Sequence, residues 1–114
     1  MPINIATSSP ILTLSYTAGE DLPAYRAINF DGELTDDGAE LLGVTELAWS
    51  TGEVASVIAL GAPIMEASGA ISKGDSIVLA TDGKAAAFGG SGTKIGFALN
   101  DAADGGHVKV LIRK

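Results

Sequence analysis

The chain has 114 residues, 46% of them apolar and 5% aromatic, with no cysteine and a formal net charge of -7 from fourteen carboxylates against seven Lys and Arg. That length supports one core rather than two, the acidic balance without clustered cations excludes nucleic acid and anionic membrane as partners, and the missing thiols exclude disulfides, thiolate metal sites and cysteine nucleophiles. No segment reaches the roughly 20 apolar residues of a bilayer span, and Met1 to Pro10 lacks the basic-then-apolar order of a cleaved signal.

Residues 1 to 20 place Ile3, Ile5, Ile11, Leu12 and Leu14 among Thr, Ser and Pro with almost no charge. The segment reads as an extended N-terminal arm, and two fates are open to it: an edge strand of its own sheet, or an arm laid on a neighbour. Ala24 to Phe30 is a short apolar run closed by Asp31-Gly32. Glu33 to Trp49 is open, since Ala39-Glu40-Leu41-Leu42 fits a helical turn or a bent strand equally well. Glu53 to Leu60 is a β-branched strand ended by Gly61 and Pro63. Within Ala70 to Thr81, Gly74-Asp75 precedes an apolar strand, and Asp82-Gly83 is a hairpin turn pair leading into Lys84 to Phe88.

Gly89 to Gly92 reads as a flexible loop, and Ile95, Phe97 and Leu99 then alternate with smaller or polar residues as a further strand. Asn100 to Gly106, with a cap-like Asn, two Ala and terminal Gly, predicts one helical turn. The clearest strand closes the chain, with Val108, Val110 and Ile112 on a core face and His107, Lys109 and Arg113 on a wet one. Together these segments predict an all-β fold, a small antiparallel sandwich or barrel-like domain over 21–114 with one or two short helical turns, following the arm of 1–20. Much of the apolar content is Ala, so the core is expected to be thin and the protein to gain from association with neighbours.

The residues offer little chemistry. His107 has no sequence context for a triad and reads as a surface histidine; Gly90-Ser91-Gly92-Thr93-Lys94 has lysine and hydroxyl in the wrong order for a phosphate loop. Asp36-Asp37 and Asp101 with Asp104 lack calcium-loop spacing, so no metal, cofactor or catalytic residue is expected. Tyr16 and Trp49 are candidate interface anchors, with core packing as the alternative.

One ordered set of segments does carry a resemblance: Gly43-Val44, Gly52 to Gly61, Ile71 to Leu79, Asp82-Gly83-Lys84, and Ile95 to Ile112. In succession they resemble the small capsid decoration, or cement, proteins of tailed bacteriophages. The resemblance implies a non-enzymatic virion protein, soluble in the host cytoplasm before assembly. On the outer capsid surface it would sit as homotrimers clamping subunits of the major capsid protein, with Ile3, Ile5, Ile11, Leu12 and Leu14 as candidate capsid contacts. Two rivals remain. A lipoyl or biotinyl carrier would need Lys84 at a turn apex, where Gly83 intervenes; a carbohydrate-binding or enzymatic β module would need aromatic platforms or paired acids in a cleft.

Overall fold

The computed structural model describes residues 8–113. Among these residues nine strands run β1 Ser9–Thr17, β2 Arg26–Ile28, β3 Gly43–Thr45, β4 Val54–Ala62, β5 Ile64–Glu66, β6 Ser76–Leu79, β7 Ala85–Ala87, β8 Gly96–Ala98 and β9 His107–Ile112. They build two antiparallel sheets, ordered β1-β4-β3-β2 and β5-β9-β8-β6-β7. The expected mainly β fold is what forms. The two sheets share a core of Ala27, Val44, Met65, Ile77, Ile95, Val108 and Val110, thinned by Ala67, Ala85 and Ala98. A second cluster, with Leu22, Ile28, Ala55 and Val57 at its centre, lies on the other face of the first sheet.

The chain passes from one sheet to the other through Pro63, between β4 and β5. Proline ends a ladder on its N–H side only, and the Pro63 carbonyl still accepts from Val110 N–H at 3.0 Å. The strand expected to stop at Leu60 therefore continues through Gly61 and Ala62 and turns a corner into β5. Strands like this one, which switch sheets at a bend, are how two-layer β folds close their corners.

Helical turns occur, but not where Asn100 to Gly106 suggested. Among the described residues, helical structure is confined to 3-10 turns at Gly38–Glu40 and Thr81–Gly83. At 100–106 the backbone bonds outward instead. Ile71 and Ala102 exchange N–H to carbonyl bonds at 2.8 and 2.9 Å, and the Asn100 side chain accepts from Lys109 N–H while donating to the carbonyls of Asp101 and His107. An asparagine bonded in this way competes with the helix it would otherwise cap. The expected hairpin does form: β6 pairs β7, and Asp82 and Gly83 both take positive φ, 62° and 75°. Gly83 also lies on β2, where a Cβ would stand 2.6 Å from the Ala27 carbonyl oxygen.

One carboxylate ties the sheets together. Glu66 on β5 accepts from Arg26 of β2 at 2.9 Å and faces Lys84 at 3.4 Å, while Arg26 also donates to the Asp82 carbonyl. The Arg26 hydrogen bond is the largest influence and holds the Glu66 carboxyl below its ordinary value of 4.5; burial opposes it as the next largest, and the Arg26 charge and the nearby Lys84 ammonium add smaller downward pulls. A carboxylate whose pKa falls on folding adds stability above its unfolded value and loses it as pH drops through the folded one. Because both side chains keep some contact with water, 14% and 25% exposed, Glu66→Gln is expected to destabilise by about 1 kcal/mol at pH 7. The deficit should shrink as pH falls below about 4.5, which urea melts across pH would read; a deficit that does not change with pH would place the effect in packing rather than charge.

Candidate interaction surface

β1 is the outermost strand of the first sheet. One side pairs with β4 from Ser9↔Ala62 to Thr17↔Val54, and among the described residues no strand lies beside the other. Of the two fates open to the N-terminal segment, residues 9–17 take the first, pairing within their own sheet. The strand is nine residues long and carries no charge. Natural edges are usually guarded by charge, shortness or covering loops, because a bare row of N–H and carbonyl groups accepts another strand. Here Pro10 and the register shifts on either side of Leu12 interrupt the ladder at one end only.

That end is also apolar. Ile11, at the irregularity, is 80% exposed, and the cross-strand partners Leu12 and Leu60 are 42% and 51% exposed. Leu14 and Tyr16 differ: they pair with buried Val57 and Ala55 and are half-buried, and the Tyr16 hydroxyl donates to the Phe30 carbonyl. Ile3 and Ile5 lie outside the described residues. Of the candidate contact residues, Ile11 and Leu12 are thus brought together on an exposed tip, while half-buried Leu14 pairs with Val57 of the second cluster.

Beside the strand runs a groove of about 350 Å³, lined by Thr13 and Ser56 on one side and by Glu46, Leu47 and Trp49 on the other. Trp49 is half-buried and packs partly on the second cluster, as Tyr16 does. The Glu46 carboxylate already accepts from the Ser8 hydroxyl and Ile64 N–H. It is spent on holding the loop against β5.

The residues considered for chemistry are dispersed. His107 is exposed and packs on Tyr25, with ring centroids 4.5 Å apart. Lys84 lies past the hairpin tip and faces Glu66, a poor presentation for a carrier lysine. Asp101 and Asp104 accept from Lys73 N–H and Gly69 N–H, so both brace loops. Among the described residues no group of three or more His, Asp or Glu converges on a metal-sized site, and no helix is long and apolar enough to cross a membrane.

A second exposed apolar face was not anticipated. Phe97 and Leu99, 39% and 40% exposed, point out of the second sheet, and the small Gly96 and Ala98 point in. Alternation located the strand but left its faces undecided. The deciding fact is the approach of β9, which leaves no room for a side chain at Gly96.

Comparison with known proteins agrees with this architecture. A solved structure, the N base of head fiber gp8.5 in bacteriophage phi29, superposes with a TM-score of 0.74 at 22% identity, covering 90% of this chain and 93% of that one. At that identity the likeness is one of fold. A search of curated proteins returns no match. The family profile of phage cement proteins matches residues 6–114, reaching well upstream of the Gly43 to Ile112 region that carried the resemblance in sequence. An edge-exposed two-sheet β domain matched over that length identifies this chain as a member of the phage cement proteins, a family of structural, capsid-associated phage proteins.

Proposed function

We propose that the protein binds the outer surface of an assembled phage head as a homotrimer and stabilises it by bridging neighbouring subunits of the major capsid protein. Residues 1–20 supply the head contact, with 9–17 doubling as a strand of the body that 21–114 form, and the protein is soluble in the host cytoplasm before assembly. The observation that carries this reading is the edge of β1, unpaired among the described residues, uncharged over nine residues and tipped by exposed Ile11, Leu12 and Leu60. A bare edge adds affinity through main-chain hydrogen bonds, and its alternate side chains add selectivity by filling pockets. The family, and the description of the phi29 relative as part of a head fiber, support the location.

Stabilisation then follows from mass action. A ligand that binds the assembled shell and not the dissociated subunits shifts their equilibrium toward the shell, by about 2.7 kcal/mol per site at a free concentration 100 times its Kd. Purified protein is therefore expected to co-sediment with expanded heads that lack their decoration layer and to raise the temperature at which those heads release DNA. Heads that bind the protein but open at an unchanged temperature would leave it a surface ligand without a cementing role. Heads that do not bind it at all would remove the proposal.

A further inference from the structure

The outer face of the second sheet carries a feature that head binding through β1 does not use. Phe88, Ser76, Phe97 and Leu111 lie side by side across it: Phe88 N–H donates to the Ser76 carbonyl at 2.8 Å, Ser76 pairs with Phe97, and Phe97 pairs with Leu111. Phe88 and Phe97 are 37% and 39% exposed. Each is capped by a cation, Lys94 Nζ at 4.5 Å from the Phe88 ring centre and Arg113 Cζ at 5.7 Å from that of Phe97. Among the described residues neither cation has a carboxylate within ion-pair distance.

Charge along the chain is segregated in a way that indicates what covers this face. Residues 1–72 hold one cation and ten carboxylates, while residues 73–114 hold six cations and four carboxylates. Five of the acids, Asp31, Glu33, Asp36, Asp37 and Glu40, are exposed on one loop together with Phe30, which is 63% exposed. That loop borders a hollow of about 300 Å³ lined by Phe30, Asp31 and Glu40. Cation-capped aromatics and an acidic, aromatic-edged hollow are complementary in charge and in apolar character, the combination that fixes register at protein interfaces.

We infer that the Phe88–Phe97–Leu111 face of one copy docks on the acidic 30–40 loop of a second copy, making this the contact through which the protein self-associates. The inference rests on the proposed oligomeric form and names the surfaces that build it. Lys94 and Arg113 of one copy face Asp36 and Glu40 of the next, and Phe88 or Phe97 enters the hollow beside Phe30. Within one copy the 3-10 turn at Gly38–Glu40 packs on Thr93 and Ile95, so folding of the second sheet also sets the position of the acidic loop.

The test is the mass of the full chain in solution, by light scattering over a micromolar concentration series. Lys94→Glu with Arg113→Glu, and separately Asp36→Lys with Glu40→Lys, are each expected to weaken self-association roughly tenfold or more. The chain carrying all four reversals is expected to recover it. Asp37 is left in place because its carboxylate accepts from Ala39 N–H at 2.9 Å and holds the turn. A monomeric native chain, reversal pairs with native mass, or a fourfold variant no better than either pair would each overturn the inference. So would reversals that keep the mass and abolish head binding, which would give the face to the head. A native chain that binds heads as a monomer sinks this inference and spares head binding, whereas an oligomer indifferent to heads does the opposite.

Discussion

Gly96→Val is expected to destabilise the protein by about 4 kcal/mol, an exceptional figure for one substitution. A Cβ built at Gly96 falls 1.9 Å from the Leu111 carbonyl oxygen and 2.8 Å from its carbonyl carbon. Both are backbone atoms of the partner strand, so no rotamer change relieves the clash. β8 and β9 would have to separate where Gly96 pairs with Ile112, beside the buried Ile95, Ala98 and Val110. Domains of this size have a total stability of roughly 5–15 kcal/mol, and each kcal/mol lowers Tm by about 4 °C or more, so the variant should melt at least ~15 °C below the native chain or fail to fold. Gly89→Ala is the matched control, because an added Cβ there meets nothing within 4 Å; it should stay within about 0.5 kcal/mol. Urea or thermal melts decide, and a Gly96→Val chain that melts with the native one would mean that the two strands are not so closely apposed.

The same close approach explains what was legible in the sequence. β9 was readable because its two phases differ in polarity, with Lys109 and Arg113 against Val108 and Val110. In β8 both phases are apolar, and size sorts them: Gly96 and Ala98 fit against β9, and Phe97 and Leu99 are left outside. Short strands were harder. Gly43–Thr45 lies in a stretch with no decisive period, and Ile64–Glu66 hides behind Pro63, which reads as a stop although its carbonyl is bonded. The 3-10 turn at Gly38–Glu40 settles the region where a helical turn and a bent strand were equally open, helped by Asp37 capping Ala39. For the interaction surface, absence of charge marked the segment containing Ile11 and Leu12. Pairing of residues 9–17 with β4 depends on contacts from 37 (Thr17↔Val54) to 53 (Ser9↔Ala62) residues apart, which no local pattern encodes.

Thr13→Lys combined with Ser15→Lys is expected to lower affinity for heads by at least roughly tenfold while leaving the fold intact. Both residues are exposed on β1, so the change in stability should stay within about 0.5 kcal/mol. Lysine on a bare edge deters an incoming strand, since pairing would force its ammonium against an apolar partner. Truncation is a poorer test than substitution. Removing residues 1–15 would strip the partner strand from most of β4, Val57 of the second cluster included, so that lost binding and lost folding could not be separated. Thr13→Val with Ser15→Val keeps the edge uncharged and should retain native affinity, showing that the charge is what matters. Ile11→Asn tests the tip separately. At 80% exposure nearly its whole side chain is available to a partner, and burying such a chain contributes about 1.5–3 kcal/mol. Each protomer of a trimer would lose that increment, and multivalent attachment would magnify the loss. If the lysine and valine pairs bind heads equally well, strand addition at β1 is wrong; if Ile11→Asn alone abolishes binding, the contact is a side-chain plug at the tip with no ladder behind it.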